Sequence, residues 1–308
     1  MNNFTHKLYI LTEHDAKYRQ LVTNLDLPDL TITDHRDNAT ILLAAPPMAA
    51  KALEQFPNLA WLQSIYAGVD ALVSKPQLNN YILTNVKGIF GQQIAEYVLG
   101  YTIGYYRHFQ RYQSQQQQRS WQPHLYQSLN QKRMVILGTG SIGVKLAHSA
   151  HALGIETIGV NRSGIPVKDA PFSRIYHVQE LHKALSEADI IVNTLPNTPE
   201  TYRLLNGDTL TAANQALLFN VGRGATLCEQ GLLQALANGS IAHAYLDVFE
   251  TEPLDSDHPY WSHLDITVTP HIAALSFPEQ VVEIFADNYL RWRDGFSLNH
   301  RVDFDKGY

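Results

Sequence analysis

Short apolar runs alternate with stretches of helical periodicity along most of the chain. In the first hundred residues Leu8–Leu11, Ile41–Ala44, Leu59–Leu62 and Tyr81–Leu83 have strand length. Turn-forming pairs such as Pro46-Pro47, Pro57-Asn58 and Asn79-Asn80 lie between them. Such alternation predicts an α/β fold, a parallel sheet with helices on both faces. Between Ile94 and Tyr112 the period changes. Val98, Tyr101, Tyr105, Phe109 and Tyr112 recur every three or four residues, which predicts one face of a single long helix. That stripe is buried either in the core or across a subunit contact. The polar run Ser114–Arg119 reads as a solvated helix end or linker. A second alternation then begins, richer in strands: Met134–Leu137, Thr157–Val160, Arg174–His177, Asp189–Thr194, Ala216–Val221, Ala242–Val248 and Ile266–Thr269. One more helix, Pro278 to Arg293, precedes a polar tail.

At 308 residues the chain is long enough for two domains. Its 45% apolar and 17% charged residues are ordinary globular usage. The net charge of −6, with no basic block, disfavours a nucleic-acid or membrane-surface role. Cys228 is the single cysteine, so there is no disulfide within the chain and no Cys-rich zinc module; a reducing compartment fits. The first apolar run, Leu8–Leu11, is too short for a signal peptide or a membrane span, and a soluble, cytoplasmic protein is expected.

Gly138-Thr139-Gly140-Ser141-Ile142-Gly143 is a G-x-G-x-x-G. It follows the run Met134–Leu137 and opens a helical pattern through Ile142, Leu146, Ala150 and Leu153, ended by Gly154 before the next strand. That context makes it a dinucleotide-binding turn: glycines admit the pyrophosphate, and the helix N-terminus meets it with free N–H groups. About 130 residues precede this unit, enough for a separate domain. An acidic residue at the end of the next strand would select NAD. The chain has Asn161-Arg162-Ser163 there. With a guanidinium and a hydroxyl and no carboxylate, NADP is favoured and NAD remains possible; the alternative is that Arg162 is a solvated loop arginine.

Three polar groups follow later strands: Arg223 in Asn220-Val221-Gly222-Arg223-Gly224, Glu252 in the segment 247–253, and His271 after Thr269-Pro270. Ligands of open parallel sheets bind beyond the carboxyl ends of the strands, so these three can converge on one crevice. An arginine that never titrates, a histidine that can, and a carboxylate to orient it suffice to reduce a 2-oxo acid. Other candidates are weaker. His148 and His151 lack a third metal ligand, Asp255, Asp257 and His258 read as a solvated loop, and Cys228 reads as a packed small residue; no metal site is expected.

Taken in order, GTGSIG (138–143), LPNTPET (195–201), NVGRG (220–224), DVFETEP (247–253) and TPHIAALS (269–276) resemble the D-isomer-specific 2-hydroxyacid dehydrogenase family over essentially the whole chain. The wording at 61–64 and 88–93 is most similar to its glyoxylate/hydroxypyruvate reductase A branch. The resemblance implies two Rossmann-like or flavodoxin-like domains with parallel sheets: a discontinuous substrate domain (1–102 plus 278–308) and a dinucleotide-binding domain (103–277). It also implies a homodimer. Carried over, Arg223 binds the substrate, His271 is the acid/base and Glu252 its partner. The loop Tyr66, Ala67, Gly68, Val69 matches the substrate loop, with backbone N–H groups for a carboxylate. The cofactor would lie along Gly138–Gly143, Asn161, Arg162, Ser163, Leu195, Pro196, Val221, Gly222, Arg223, Asp247, His271 and Ala273. Tyr66 departs from the branch, where a small residue is usual. The expected function is therefore NAD(P)H-dependent reduction of a small 2-oxo acid to a D-2-hydroxy acid. Alternatives are a reductase of bulkier 2-oxo acids or a non-catalytic nucleotide-sensing protein of the same fold.

Overall fold

The apolar runs near the start of the chain pair side by side in the computed structural model, which describes residues 5–73 and 80–304. Asn79 of the expected turn pair lies outside the described residues. β1 (His6–Leu11), β2 (Leu30–Ile32), β3 (Ile41–Ala44), β4 (Trp61–Ser64) and β5 (Ile82–Thr84) form one sheet in the order β2-β1-β3-β4-β5. All its neighbour pairs are parallel, the flavodoxin-like arrangement. β2 has no counterpart in the apolar pattern because it is a three-residue edge strand with Thr31 exposed. β4 begins two residues later than Leu59 and ends on Gln63 and Ser64, both fully buried. Hydrogen bonds make that burial tolerable: Gln63 Oε1 accepts from Thr84 Oγ1 at 2.7 Å and from Asn288 Nδ2 at 3.1 Å.

Helices α1 (Asp15–Asn24), α2 (Pro46–Ala52) and α3 (Asp70–Val73) connect these strands. The last helix of the chain, α10 (Pro278–Arg293), belongs with them. Proline opens it, Glu279 lies in its first turn and Arg291 and Arg293 in its last, as the helix dipole favours. Its Phe285 stacks on Trp61, ring centroids 5.4 Å apart, and Tyr289 donates to the Pro28 carbonyl at 2.7 Å. The first unit, Met1–Ile89 with Ser276–Tyr308, is therefore discontinuous.

The second unit is Phe90–Leu275. β6 (Arg133–Leu137), β7 (Glu156–Asn161), β8 (Phe172–His177), β9 (Ile190–Asn193), β10 (Ala216–Asn220), β11 (Ile241–Leu246) and β12 (Ile266–Val268) form a sheet in the order β12-β11-β10-β9-β6-β7-β8. Every neighbour pair is parallel. This is the doubly wound dinucleotide-binding order with one strand added at the edge, and the order reverses between β6 and β9. The strand period explains the two-sided core. Met134, Ile136, Ile190 and Val192 enter one cluster, and Val135, Leu137, Ile191 and Leu218 the other. Helices α6 (Ser141–His151), α7 (Leu181–Ser186), α8 (Gly207–Leu210) and α9 (Glu229–Ala237) make the connections.

The expected single helix through Tyr112 is two. α4 (Phe90–Tyr106) ends before His108, whose φ of +58° is left-handed, and α5 (Phe109–Gln117) begins after it. The aromatic stripe divides accordingly. Val98 is fully buried, whereas Tyr105, Phe109 and Tyr112 are exposed in the chain. The stripe as a whole is thus not a core face. Ser114–Arg119 is indeed mostly the end of a helix. The unit boundary falls at Ile89/Phe90 instead of 102/103, because Ile94 and Val98 of α4 pack with Met134, Ile136 and Leu146. The second boundary, Leu275/Ser276, lies two residues before the expected 277/278.

Candidate active site

The expected site residues of the second unit follow the carboxyl ends of its strands. The glycine turn comes after β6, Asn161 ends β7 with Arg162 and Ser163 behind it, Leu195 and Pro196 follow β9, and Val221–Arg223 follow β10. Asp247 and Glu252 follow β11, and His271 and Ala273 follow β12. Because β10, β11 and β12 are adjacent in the sheet, the loops bearing Arg223, Glu252 and His271 are neighbours.

The glycine turn has the construction that a pyrophosphate requires. Gly138 adopts φ +97°, and a Cβ on Gly143 would lie 2.1 Å from the Gly138 carbonyl oxygen, so the turn closes only with glycine there. A Cβ on Gly140 would meet nothing within 4 Å, which leaves the approach open. Gly140 is the N-cap of α6 and provides no side-chain cap, so the first-turn N–H groups remain for an anion. These residues fit a dinucleotide. Thr194 ties the turn to β9 by donating to the Leu137 carbonyl at 2.8 Å.

Asn161 fixes the loop that follows β7. Its Nδ2 donates to Thr139 Oγ1 at 3.0 Å and to the Ile165 carbonyl at 3.1 Å, and its Oδ1 accepts from the Gly164 and Ser163 N–H groups at 2.7 and 3.1 Å. Arg162 is exposed on that braced loop. Nearby Glu200 is held below the usual carboxylate range by its own backbone N–H and by Thr198, with the Arg162 charge adding to the effect.

His271 Nδ1 meets Glu252 Oε2 at 2.7 Å, and Glu252 Oε1 accepts the Phe249 N–H at 2.9 Å. The hydrogen bond to Glu252 holds the imidazolium above the usual histidine range, against burial and the Arg223 charge, which push it down. Burial pushes Glu252 up, but the bonds from His271 and Phe249 and the nearby Arg223 outweigh it and leave the carboxyl low. With Nδ1 engaged, Nε2 is the ring nitrogen available to a substrate. Arg223 donates from Nη1 to the Gly222 carbonyl at 2.6 Å. Its own carbonyl accepts from Thr226 Oγ1 at 2.6 Å, and Thr226 Oγ1 in turn accepts from fully buried Asn193 at 2.6 Å. Gly224 permits the loop to reach this place, since a Cβ there would fall 1.8 Å from the Phe249 carbonyl carbon.

Asp247, expected beside the cofactor, also braces the loop that carries His271. Only 2% exposed, it accepts from Thr269 Oγ1 at 2.6 Å and from the Ile272 and Ala273 N–H groups at 2.9 Å each. Thr269, Asn193 and Thr226 were missed as contributors. A polar residue closing a buried apolar run was the available signal for Asn193; Tyr97, which meets Thr269 Oγ1 at 2.7 Å, had none.

Within the first unit, Tyr66, Ala67, Gly68 and Val69 follow β4. Ser64 Oγ accepts the Tyr66 N–H at 2.9 Å, and Asn85 donates to the Ala67 carbonyl at 2.7 Å. The N–H groups of Ala67, Gly68 and Val69 have no acceptor among the described residues. The Tyr66 hydroxyl approaches Glu13 Oε2 at 3.5 Å, and burial together with that carboxylate pushes its pKa up.

No group of three or more His, Cys, Asp or Glu side chains among the described residues could hold a metal ion. His148 and His151 end α6, and His258 pairs with Glu229 at 3.3 Å. Half-buried Cys228 is the N-cap of α9. No helix among the described residues is long and apolar enough to cross a membrane.

Comparison with known proteins places the chain in a family. Residues 99–273 match the family model described as D-isomer specific 2-hydroxyacid dehydrogenase, NAD binding domain. The chain is 35% identical to a glyoxylate/hydroxypyruvate reductase A of Serratia proteamaculans (strain 568), over 83% of this chain and 84% of the relative. A D-isomer specific 2-hydroxyacid dehydrogenase family protein from Aeromonas salmonicida subsp. salmonicida A449 superposes with a TM-score of 0.92 at 41% identity, covering 98% of this chain and 100% of that one. A D-isomer specific 2-hydroxyacid dehydrogenase from Xanthobacter autotrophicus Py2, solved in complex with NADPH and MES, gives 0.88 at 27% identity over 99% and 100%. The chain belongs to the D-isomer specific 2-hydroxyacid dehydrogenase family and is an NAD(P)-dependent oxidoreductase acting between 2-oxo and 2-hydroxy acids.

Proposed function

We propose that the protein is an NADPH-preferring reductase of a small 2-oxo acid of the glyoxylate or hydroxypyruvate kind. The observation that carries this reading is the 2.7 Å pairing of His271 with Glu252, in a loop beside the one that bears Arg223. The dinucleotide, held by the glycine turn and Asn161–Ser163, supplies the hydride when bound. Protonated His271 gives its Nε2 proton to the carbonyl oxygen, and Glu252 stabilises the imidazolium and fixes its tautomer. Arg223 binds the carboxylate and polarises the carbonyl, which stabilises the charge that develops on oxygen. The N–H groups of Ala67, Gly68 and Val69, which have no acceptor among the described residues, suit a carboxylate. Leu195, Pro196, Val221, Gly222, Asp247 and Ala273, which follow the strand ends of the same sheet, are assigned to the dinucleotide, and Asp247 also braces the loop that carries His271.

The Serratia relative's name supports the substrate class, and the NADPH complex of the Xanthobacter relative supports the cofactor, in keeping with Arg162. Tyr66, large for this loop, favours a second reading in which a bulkier 2-oxo acid is preferred. Measurable turnover separates this reading from a nucleotide-sensing binding protein of the same fold. We further propose a cytoplasmic homodimer. Phe109 and Tyr112 on α5, and Trp121 and Leu125 beyond it, each of the latter 97% exposed, are exposed apolar side chains of the kind subunit contacts cover. The deciding experiment is an initial-rate panel of 2-oxo acids with His271→Asn beside the parent. Turnover should fall by roughly 10²–10⁴ with NADPH binding little changed; retained turnover refutes the assignment.

A further inference from the structure

His271 has a left-handed backbone, φ +54°, which a residue with a side chain keeps only where its surroundings impose it. Asp247 is that surrounding. Its carbonyl oxygen accepts the His271 N–H at 2.9 Å, while its carboxylate holds Thr269 on one side of the histidine and Ile272 and Ala273 on the other. Three donors converge on the carboxylate, which only accepts, so the single hydroxyl proton of Thr269 is committed to it. The 2.7 Å contact between the Thr269 and Tyr97 hydroxyls is then a donation from Tyr97. Burial pushes the Tyr97 pKa well up, so that proton stays in place. The result is a directed chain from α4 to the turn bearing His271, in which each bond strengthens the next.

We propose that Tyr97 is a positioning residue for the reaction: through Thr269 and Asp247, its hydroxyl fixes the turn that aims the His271 ring. This rests on the reading of His271 as the acid/base. The tyrosine ring is held independently of its hydroxyl, edge-on to Tyr101 at 4.9 Å, with Tyr101 in turn 4.7 Å from Tyr245. Tyr97→Phe therefore removes the hydrogen bond and little else.

Steady-state kinetics of the full chain with glyoxylate and NADPH test the chain of bonds through four variants. Tyr97→Phe should lower kcat by about three- to tenfold, the range expected for one hydrogen bond, with both KM values within about twofold. Thr269→Val should lose more, and Thr269→Ser, which keeps the hydroxyl, should restore most of it. In the double variant Tyr97→Phe/Thr269→Val the tyrosine change should add nothing, because its partner is already gone. Parent-like kcat in Tyr97→Phe, or the same loss in both backgrounds, overturns the proposal. Should Thr269→Val not fold, Tyr97→Phe against Thr269→Ser decides it. His271→Asn is the control: if it retains turnover the acid/base reading falls, and if it alone is impaired only the role of Tyr97 falls.

Discussion

Replacing Arg162 by alanine should change the choice between NADPH and NADH more than any other property of the enzyme. The loop Asn161–Ile165 is braced to the glycine turn through the Asn161 amide, so an alanine at position 162 leaves the backbone in place. A charge-assisted hydrogen bond contributes roughly 1.5–3 kcal/mol, and exposure of Arg162 brings its value to the low end through solvent screening. About 1.5 kcal/mol corresponds to roughly tenfold, so kcat/KM for NADPH should fall about tenfold while that for NADH stays nearly constant. The assay is initial rates with each cofactor at saturating 2-oxo acid, repeated at two ionic strengths. Because the screening length falls from about 10 Å at 0.1 M to about 3 Å at 1 M, the parent's preference should shrink with salt and the variant's should not. An unchanged NADPH to NADH ratio in Arg162→Ala refutes the assignment and makes Arg162 a solvated loop residue. Asn161→Asp is a poorer route to inversion than the bare motif implies. It would repel a 2′-phosphate, but it would also lose both amide donors and set a carboxylate against the Ile165 carbonyl.

Glu252→Gln should shift the pH profile of reduction: the carboxylate holds the His271 pKa up, so its loss lowers that pKa, and the protonated form that reduction needs disappears at a lower pH than in the parent. Oxidation of the 2-hydroxy acid, which needs the neutral ring, should correspondingly extend to lower pH; coincident profiles would remove Glu252 from its role. Arg223→Lys keeps the charge but loses the planar fork, and the specificity constant should fall chiefly through the 2-oxo acid, with NADPH affinity preserved; unchanged substrate kinetics would make Arg223 structural. Glutamates at both Trp121 and Leu125 should give monomers by equilibrium sedimentation, since buried unpaired charge is costly; a parent that is itself monomeric refutes the homodimer.

Most of the fold was legible because most of its strands, β3, β6, β9 and β10 above all, are buried on both faces and read as continuous apolar runs. All seven expected strands of the second unit are present. What escaped was decided by contacts distant in sequence. Trp61–Ser64 continues as a strand through two polar residues because Asn288 and Thr84 satisfy Gln63. The long helix is interrupted because His108 turns left-handed, a change that no periodicity announces. The aromatic stripe that spans this break looked uniform in sequence, yet it passes from the buried Val98 to the exposed Phe109.

The site divides in the same way. Arg223, Glu252 and His271 could be brought together on paper because each follows one of three consecutive strands, and consecutive parallel strands lie about 4.8 Å apart. Chain order and spatial order coincide on this side of the sheet, so spacing in the sequence served as a map. The supporting residues obey no such order. Asp247 precedes Glu252 in one loop, yet its carboxylate serves the next loop, and Tyr97 reaches the same place from a helix before the sheet begins. The motifs name the groups proposed to act on the substrate, while the residues that brace their loops are set by packing. Substitutions at Tyr97 and Thr269 are therefore the ones whose effects the motifs alone would not foretell.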